Sequence, residues 1–118
     1  MVPKKNRLPL QTVLRAARNS ADAVRTPLFI LVKRRNGMPV NRFGVLVPKK
    51  FDKRSSKRNA LRRALFRAAQ TDGLRTPASK AAGTDIAVYI SPRASGEPRD
   101  RVVEEVRAAV RRILKPRT

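Results

Sequence analysis

The fold is decided by the stretch FGVLVPKKFDKRSSKRNALRRALFRAA, residues 43–69. It opens with an apolar run that ends at Pro48, as expected of a strand, because proline has no N–H for a ladder hydrogen bond. Ser55 or Ser56 then offers a helix N-cap, and apolar residues recur at helical spacing as far as Ala69. A strand followed so closely by an amphipathic helix predicts a domain that mixes the two kinds of element.

The helix in this stretch has two contrasting arcs on a helical wheel. One arc is apolar and predicts a face for the core, formed by Leu61, Ala64, Leu65, Ala68 and Ala69. The opposite arc is polar, and it holds Arg58, Asn59, Arg62, Arg63 and Arg67. Phe66 lies within the polar arc, where packing by a neighbouring loop is favoured over a shelf for a nucleic-acid base.

Basic residues are concentrated just before this helix and along it. Nine of them occur between residues 49 and 67, with Asp52 as the only acid: Lys49, Lys50, Lys53, Arg54, Lys57, Arg58, Arg62, Arg63 and Arg67. A charge run is ordinarily a solvated face. Here the like charges repel one another and destabilise the fold unless a polyanion is bound. The stretch therefore predicts a nucleic-acid surface.

The whole chain has the same character. Its 118 residues carry 29 Lys plus Arg against 8 Asp plus Glu, which gives a formal net charge of +21. The length and a hydrophobic fraction of 41% suit one domain over residues 1–118, with one modest core. Nucleic acid is the commonest polyanionic partner of so basic a chain.

The residue types that most protein-based catalysis requires are missing. The chain has no Cys and no His, which excludes disulfides, thiolate metal sites and His-dependent bases. Its acids are dispersed and it has no glycine-rich phosphate loop, so we predict no catalytic residue and no protein metal site. The longest apolar run, Leu28–Val32, is too short to span a membrane, and no signal-peptide core is present. We therefore expect a cytoplasmic protein with no membrane partner.

Hydrophobic periodicity and turn signals predict the remaining elements. They are a helix over Pro9–Arg18, an edge strand over Ser20–Val24, strands over Pro27–Arg34 and Asp85–Ser91, and a helix from Pro98 to Lys115. The Asn36-Gly37 turn signal predicts an antiparallel hairpin between the strand over 27–34 and the strand over 41–47. The nearly continuous apolar run over 85–91 predicts a strand covered on both faces, as in a parallel pairing. The predicted fold is a single-domain α+β sandwich in the order α-β-β-β-α-β-α.

Residues 43–69 resemble the signature region of the bacterial ribonuclease P protein subunit. In that family a hydrophobic strand with an internal Gly ends in a Lys-Lys pair, and an Arg-Asn-Arg run begins on a helix seven residues later. Gly44, Lys49-Lys50 and Arg58-Asn59 stand at the matching places here, with Ala60 at the third position of the run. Further similarity extends the resemblance over nearly the whole chain, at Asn6-Arg7-Leu8, Thr26–Phe29, Asp85–Val88 and the C-terminal helix.

The resemblance implies a fold and a function. The family's β-α-β crossover around the basic helix is left-handed, whereas the residues alone would predict the common right-handed connection. The family protein binds a catalytic RNA and the single-stranded 5′ leader of precursor tRNA, and together they cleave off the leader. The RNA supplies the catalytic centre, with Mg²⁺ ions held mainly by the RNA. The expected partners are thus the catalytic RNA and precursor tRNA, without an obligate protein partner.

The resemblance and the charge pattern together define two sets of candidate residues. The predicted RNA contacts are Lys49, Lys50, Lys53, Arg54, Lys57, Arg58, Asn59, Arg62, Arg63 and Arg67. The predicted leader cleft is lined by Leu10, Val13, Leu14 and Val32. The family usually carries aromatic residues at the positions that match Leu10, Leu14 and Val32. Because base stacking on aromatic rings contributes about 1–3 kcal/mol per base, the substitutions imply a weaker or more apolar grip on the leader.

Two other classes of protein fit part of the pattern. A ribosomal or general RNA-binding structural protein would have a similar charge and size, but the spacing from the Lys-Lys pair to Arg58-Asn59 argues against it. A nucleoid protein is the least favoured interpretation, because the sequence shows neither a helix-turn-helix nor a dimeric β-arm signal.

Overall fold

The computed structural model describes residues 23–35, 41–71 and 83–114. In chain order, the elements are β1 (Ala23–Arg25), β2 (Phe29–Arg35), β3 (Arg42–Leu46), α1 (Ser55–Thr71), β4 (Thr84–Ile90), a 3₁₀ helix (Pro92–Gly96) and α2 (Arg99–Leu114). The helix predicted over residues 9–18 lies outside the described residues, together with the candidate cleft residues Leu10, Val13 and Leu14. The described elements follow the predicted α+β order, and the predicted fold class is confirmed.

The four strands form one mixed sheet in the order β1-β2-β4-β3. β2 runs antiparallel to both β1 and β4, whereas β3 and β4 are parallel. Val88 of β4 pairs with Leu31 on one side and with Val45 on the other. The parallel pairing predicted for this strand is therefore confirmed.

The hairpin predicted between the strands over 27–34 and 41–47 is wrong, because β4 lies between β2 and β3. The middle of β4, residues 86–88, is apolar on both faces and buried, so the centre of the sheet suits this strand better than an edge does. The local turn signal at Asn36-Gly37 does not outweigh this long-range preference.

The observed hairpin joins β1 and β2 instead. Thr26 closes its tight turn: its N–H donates to the carbonyl oxygen of Phe29 (2.9 Å). The Thr26 hydroxyl accepts hydrogen bonds from the backbone N–H groups of Leu28 (3.2 Å) and Phe29 (3.1 Å). β1 pairs with β2 alone among the described strands, so the predicted edge strand is confirmed near its predicted position.

Both described helices pack on one face of the sheet. That face presents alternate residues of the three longer strands, such as Phe29, Phe43 and Val88, to the core. The opposing layer consists of the predicted apolar stripe of α1, represented by Leu61, Leu65 and Ala69, and of a stripe on α2 formed by Val102, Val106, Ala109 and Val110. Each large apolar side chain buried there contributes about 1.5–3 kcal/mol. Ala64 and Ala68 of the predicted stripe lie at its half-buried margin.

The opposite face of the sheet carries a second, smaller apolar cluster. Val32 and Ala87 are buried at its centre, and Ala23, Ile30 and Leu46 pack beside them. This places the candidate cleft residue Val32 on the face away from α1 and α2.

The connection from β3 through α1 to β4 places the basic helix across the sheet. β3 and β4 are neighbouring parallel strands, so α1 is a true crossover helix. α1 begins at Ser55, and the cap position therefore falls on Arg54, one residue before the pair of serines that the sequence suggests. The left-handed sense of this crossover stays a prediction.

Candidate nucleic-acid interface

The loop between β3 and α1 is anchored to the protein at both ends. Val47 at its start is buried, and the N–H of Phe51 donates to the carbonyl oxygen of Pro48 at 3.0 Å. The Phe51 ring packs against the core. These contacts leave Lys49 and Lys50 exposed at the tip of a tight turn.

Asp52 holds the next part of the loop through Arg54. Its Oδ1 accepts the backbone N–H of Arg54 at 2.9 Å and the Arg54 Nε at 3.2 Å, while Oδ2 accepts Nη2 at 3.1 Å. The hydrogen bond from the Arg54 side chain, followed by the one from its backbone, lowers the pKa of the Asp52 carboxyl. The same pairing raises the pKa of Arg54. Both groups are therefore charged at neutral pH.

Arg58 turns back from the first turn of α1 onto the same loop. Its Nη1 donates to the carbonyl oxygens of Asp52 (2.7 Å) and Lys53 (3.1 Å). The backbone N–H groups of Lys57 and Arg58 both donate to the carbonyl oxygen of Arg54. Arg58 thus joins the loop to the helix with its side chain as well as its backbone.

A continuous set of exposed polar residues remains on the loop and on the outer side of α1. We call it the basic surface, and it comprises Lys49, Lys50, Lys53, Arg54, Lys57, Asn59, Arg63 and Arg67. Within the described parts of the chain, six of these side chains make no hydrogen bond or ion pair, namely Lys49, Lys50, Lys53, Lys57, Asn59 and Arg63. The surface therefore offers free donors and uncompensated positive charge to an anionic partner.

α1 has a third, half-buried flank that the two-arc wheel does not predict. Arg58, Arg62 and Phe66 lie on it, each partly covered. Phe66 meets Phe43 of β3 edge to face, with ring centroids 5.3 Å apart and an interplanar angle of 86°. Such a pair contributes about 0.5–1.5 kcal/mol beyond the burial of its area. The prediction that Phe66 packs is therefore confirmed, but its partner is a ring of strand β3 and not the neighbouring loop that the sequence suggests.

Arg62 lies on that flank between Arg58 and Phe66. Its Nε is buried and has no hydrogen-bond partner among the described residues. The sequence places Arg62 on the outer arc with Arg63, but the structure separates the two, since Arg63 is exposed and Arg62 is half-buried. A helical wheel gives only the direction in which a side chain leaves its own helix. It does not show how far β3 extends beneath that helix, and therefore which side chains are covered.

One further ion pair lies on the opposite face of the sheet. Arg42 of β3 donates to both carboxylate oxygens of Asp85 in β4, Nε to Oδ1 at 2.8 Å and Nη2 to Oδ2 at 2.7 Å. The Asp85 side chain is only 6% exposed. Asp85 lies 43 positions from Arg42 in the sequence, and only the pairing of β3 with β4 brings the two residues together. Local sequence patterns therefore do not predict this ion pair. The pair is a structural contact that links β3 to β4.

The described residues include no cluster of metal-ligating side chains. No group of three or more His, Cys, Asp or Glu residues in residues 23–35, 41–71 and 83–114 could hold a metal ion. Asp52 and Asp85 each accept hydrogen bonds from a guanidinium group instead. No helix in these ranges is long and apolar enough to cross a membrane.

The chain that carries this basic crossover helix is similar to a known protein family. The model of the Ribonuclease P family matches residues 2–114, nearly the whole chain. The chain belongs to the ribonuclease P family. The resemblance noted in residues 43–69 is therefore confirmed. No curated protein matches the chain.

Solved structures of ribonuclease P proteins share this fold. The Staphylococcus aureus RNase P protein superposes with a TM-score of 0.71 at 17% identity, over 93% of this chain and 98% of that one. An RNase P protein from Thermotoga maritima, in complex with 1-(4-fluorophenyl)-2-thiourea, gives a TM-score of 0.67 at 24% identity, over 94% of this chain and 99% of that one. At these identities the similarity shows the fold, and the roles of individual residues stay predictions.

Within the ribonuclease P fold, the predicted RNA contacts form two groups. Eight of the ten predicted residues form the basic surface. Arg58 and Arg62 lie apart on the half-buried flank, and Arg58 is engaged by the protein's own backbone.

Proposed function

We propose that this chain is the protein subunit of ribonuclease P. It binds the catalytic RNA and the 5′ leader of precursor tRNA, and it promotes endonucleolytic removal of the leader. The observation that carries the proposal is the basic surface, where uncompensated cations lie on the signature segment of a chain that matches the family over residues 2–114.

Binding to RNA follows from the chemistry of this surface. Each Lys or Arg that neutralises a phosphate releases condensed counterions, so affinity rises with every such contact and falls with salt. Arg63 can bind a phosphate in a bidentate manner, whereas Lys49 and Lys50 act as compact point charges. Asn59 adds an amide that both donates and accepts hydrogen bonds, and it is the best candidate for a contact that does not depend on charge.

The division of labour between protein and RNA follows from what the chain lacks. A chain without His has no side chain that titrates near neutral pH in its ordinary state. Mg²⁺ held mainly by the RNA would supply the hydrolytic chemistry. No three of the described acids are grouped to hold such an ion, and Asp52 and Asp85 each accept hydrogen bonds from an arginine. The protein contributes by binding the substrate and the RNA and by holding them close together.

The leader would lie against the sheet face opposite α1 and α2. Val32 is almost fully buried there, so its partly exposed neighbours Ile30 and Leu46 extend the apolar surface that the leader can use. Because this contact is apolar, we expect it to tolerate changes in leader sequence and to respond little to salt.

Reconstitution tests the proposal directly. The protein is mixed with its cognate ribonuclease P RNA and a precursor tRNA at low Mg²⁺, and release of the 5′ leader is followed on a gel. We expect the protein to raise the cleavage rate, because the basic surface offsets repulsion between the two RNAs. A rate that stays the same, together with co-sedimentation of the protein with ribosomal subunits, would support a ribosomal RNA-binding protein instead.

A further inference from the structure

Two residues before and at the start of α1 direct polar groups of their side chains at the loop itself. Asp52 is the only acid between residues 49 and 67, and its carboxylate is directed at Arg54. Arg58 stands within the signature run, yet its Nη1 is shared between two carbonyl oxygens of the loop. Neither arrangement is expected of a group whose task is to meet a phosphate.

We propose that Asp52 and Arg58 are positioning residues that shape the loop over residues 48–54 for RNA. The proposal rests on the proposed function, because the cations that they position are those of the basic surface. Lys49, Lys50 and Lys53 then make the contacts with RNA, while Arg58 acts on RNA through the loop.

The geometry around Arg58 supports a positioning role. A single guanidinium nitrogen bridges consecutive carbonyl oxygens, those of Asp52 and Lys53, at 2.7 and 3.1 Å. Both distances lie in the usual range for N–H···O hydrogen bonds, and the donor is charged, which strengthens them. The bridge holds the two peptide planes that flank Lys53 relative to α1, and with them the direction in which the Lys53 side chain leaves the loop.

The geometry around Asp52 supports the same role by a different argument. A carboxylate among nine cations lowers the attraction for a polyanion, so electrostatics alone gives no reason for its presence. Its benefit is conformational: Oδ1 accepts the N–H of Arg54 at the helix cap position, which orders the turn that enters α1. An ordered loop loses less conformational entropy when RNA binds.

A pair of substitutions at Asp52 separates these two effects. Asp52→Ala and Asp52→Asn both raise the net charge by one, but only Asn keeps an oxygen that can accept the Arg54 N–H. Positioning predicts that Asp52→Ala weakens binding to the cognate ribonuclease P RNA about three- to tenfold, and that Asp52→Asn recovers most of the loss. Electrostatics alone predicts that both variants bind more tightly. Glu104→Gln on α2 is the charge-matched control, because it also adds one unit but lies outside the loop.

A second pair of variants separates positioning from direct contact. Arg58→Ala is compared with Arg63→Ala, which lies on the exposed side of the same helix. NMR relaxation of the amides of residues 49–54 is measured in the RNA-free protein, alongside the melting temperature. Arg58→Ala should increase the mobility of these amides while the protein stays folded, and Arg63→Ala should leave them unchanged. Arg58→Lys, which retains a donor, should restore part of the order.

The outcomes are distinct. The inference is overturned if Asp52→Ala binds RNA more tightly than the wild type, or if Arg58→Ala leaves the loop amides as ordered as before. A wild-type protein that does not stimulate leader cleavage would contradict the proposed function alone. The relaxation data, which need no RNA, would still show whether Asp52 and Arg58 order the loop.

Discussion

The two described helices lie on the same face of the sheet and bury similar apolar stripes, yet their outer sides differ in charge. Residues 49–67 hold nine basic residues and one acid, whereas residues 97–112 hold five basic residues and four acids. The acids in and just before α2 pair with its arginines: Arg101 pairs with Glu97, two residues before the helix, at 2.9 Å, and Arg107 pairs with Glu104 at 3.1 Å. Such exposed pairs each contribute only about 0.3–0.5 kcal/mol, but they neutralise the surface.

The comparison shows that a count of basic residues does not locate an RNA surface. α2 carries arginines at its beginning and end, and most of its charge is compensated. The loop before α1 and the outer side of α1 leave several cations without a partner in the described structure. We expect the two helices to be equivalent in what their buried sides contribute to stability, and different in what their exposed sides contribute to RNA binding.

The largest effect is expected on the buried sides. Leu65→Ala in α1 should lower the free energy of unfolding by about 2–5 kcal/mol, because it removes a fully buried side chain and leaves a cavity. Val102→Ala in α2 removes fewer atoms and should cost about 2 kcal/mol. Denaturant unfolding followed by circular dichroism measures both values. If Leu65→Ala lowers the free energy of unfolding by less than about 1 kcal/mol, the apolar stripe of α1 does not stabilise the core as the stripe of α2 does.

Charge reversal on the exposed sides should separate the helices. The double variant Lys57→Glu with Arg63→Glu should weaken binding to the cognate ribonuclease P RNA by about a hundredfold at low salt. The matched control reverses Arg99 and Arg112, two exposed residues of α2, and should change affinity by less than about threefold. Filter binding measures both variants. Equal losses would mean that net charge, rather than the basic surface, sets the affinity.

Single substitutions should distinguish the helices by salt dependence. Arg63→Ala should flatten the slope of log K against log salt by about 0.7–0.9, the value expected for one lost phosphate contact. Arg112→Ala at the far end of α2 should leave the slope unchanged. Titrations between about 50 and 200 mM salt give the slopes. An unchanged slope for Arg63→Ala would remove this residue from the interface.

The smallest effect is the pH dependence of the loop. The pKa of Asp52 is lowered by its hydrogen bonds to Arg54, so the folded protein holds this carboxylate ionised below its ordinary pKa of about 3.9. Its contribution to stability is therefore fully present above that ordinary value and is lost as the pH falls through the lowered pKa. NMR titration of the Asp52 carboxyl carbon should show this lowered value, and Arg54→Ala should return it toward the ordinary range. A pKa that Arg54→Ala does not change would mean that Arg54 is not the cause.

Local patterns in the sequence were sufficient for several features. The stripe of Leu61, Leu65 and Ala69 follows from a 3.6-residue period, and the central place of β4 is consistent with its continuous apolar run. The predicted packing of Phe66 also holds. The hairpin at Asn36-Gly37 failed, because a turn signal covers only a few residues and carries no information about a strand that arrives some forty residues later.

The sequence by itself determined the kinds of element, the buried stripes, the excess of positive charge and the family. These are properties of composition and of short-range spacing, which are local in the chain. Tertiary structure alone decided the strand order, the pairing of Arg42 with Asp85, and the separation of Arg58 and Arg62 from Arg63. The physical reason is that strand order, ion pairing and burial depend on groups that are distant in sequence. Similarly, the carbonyl oxygens of Asp52 and Lys53 face Arg58 only after the loop has folded onto α1.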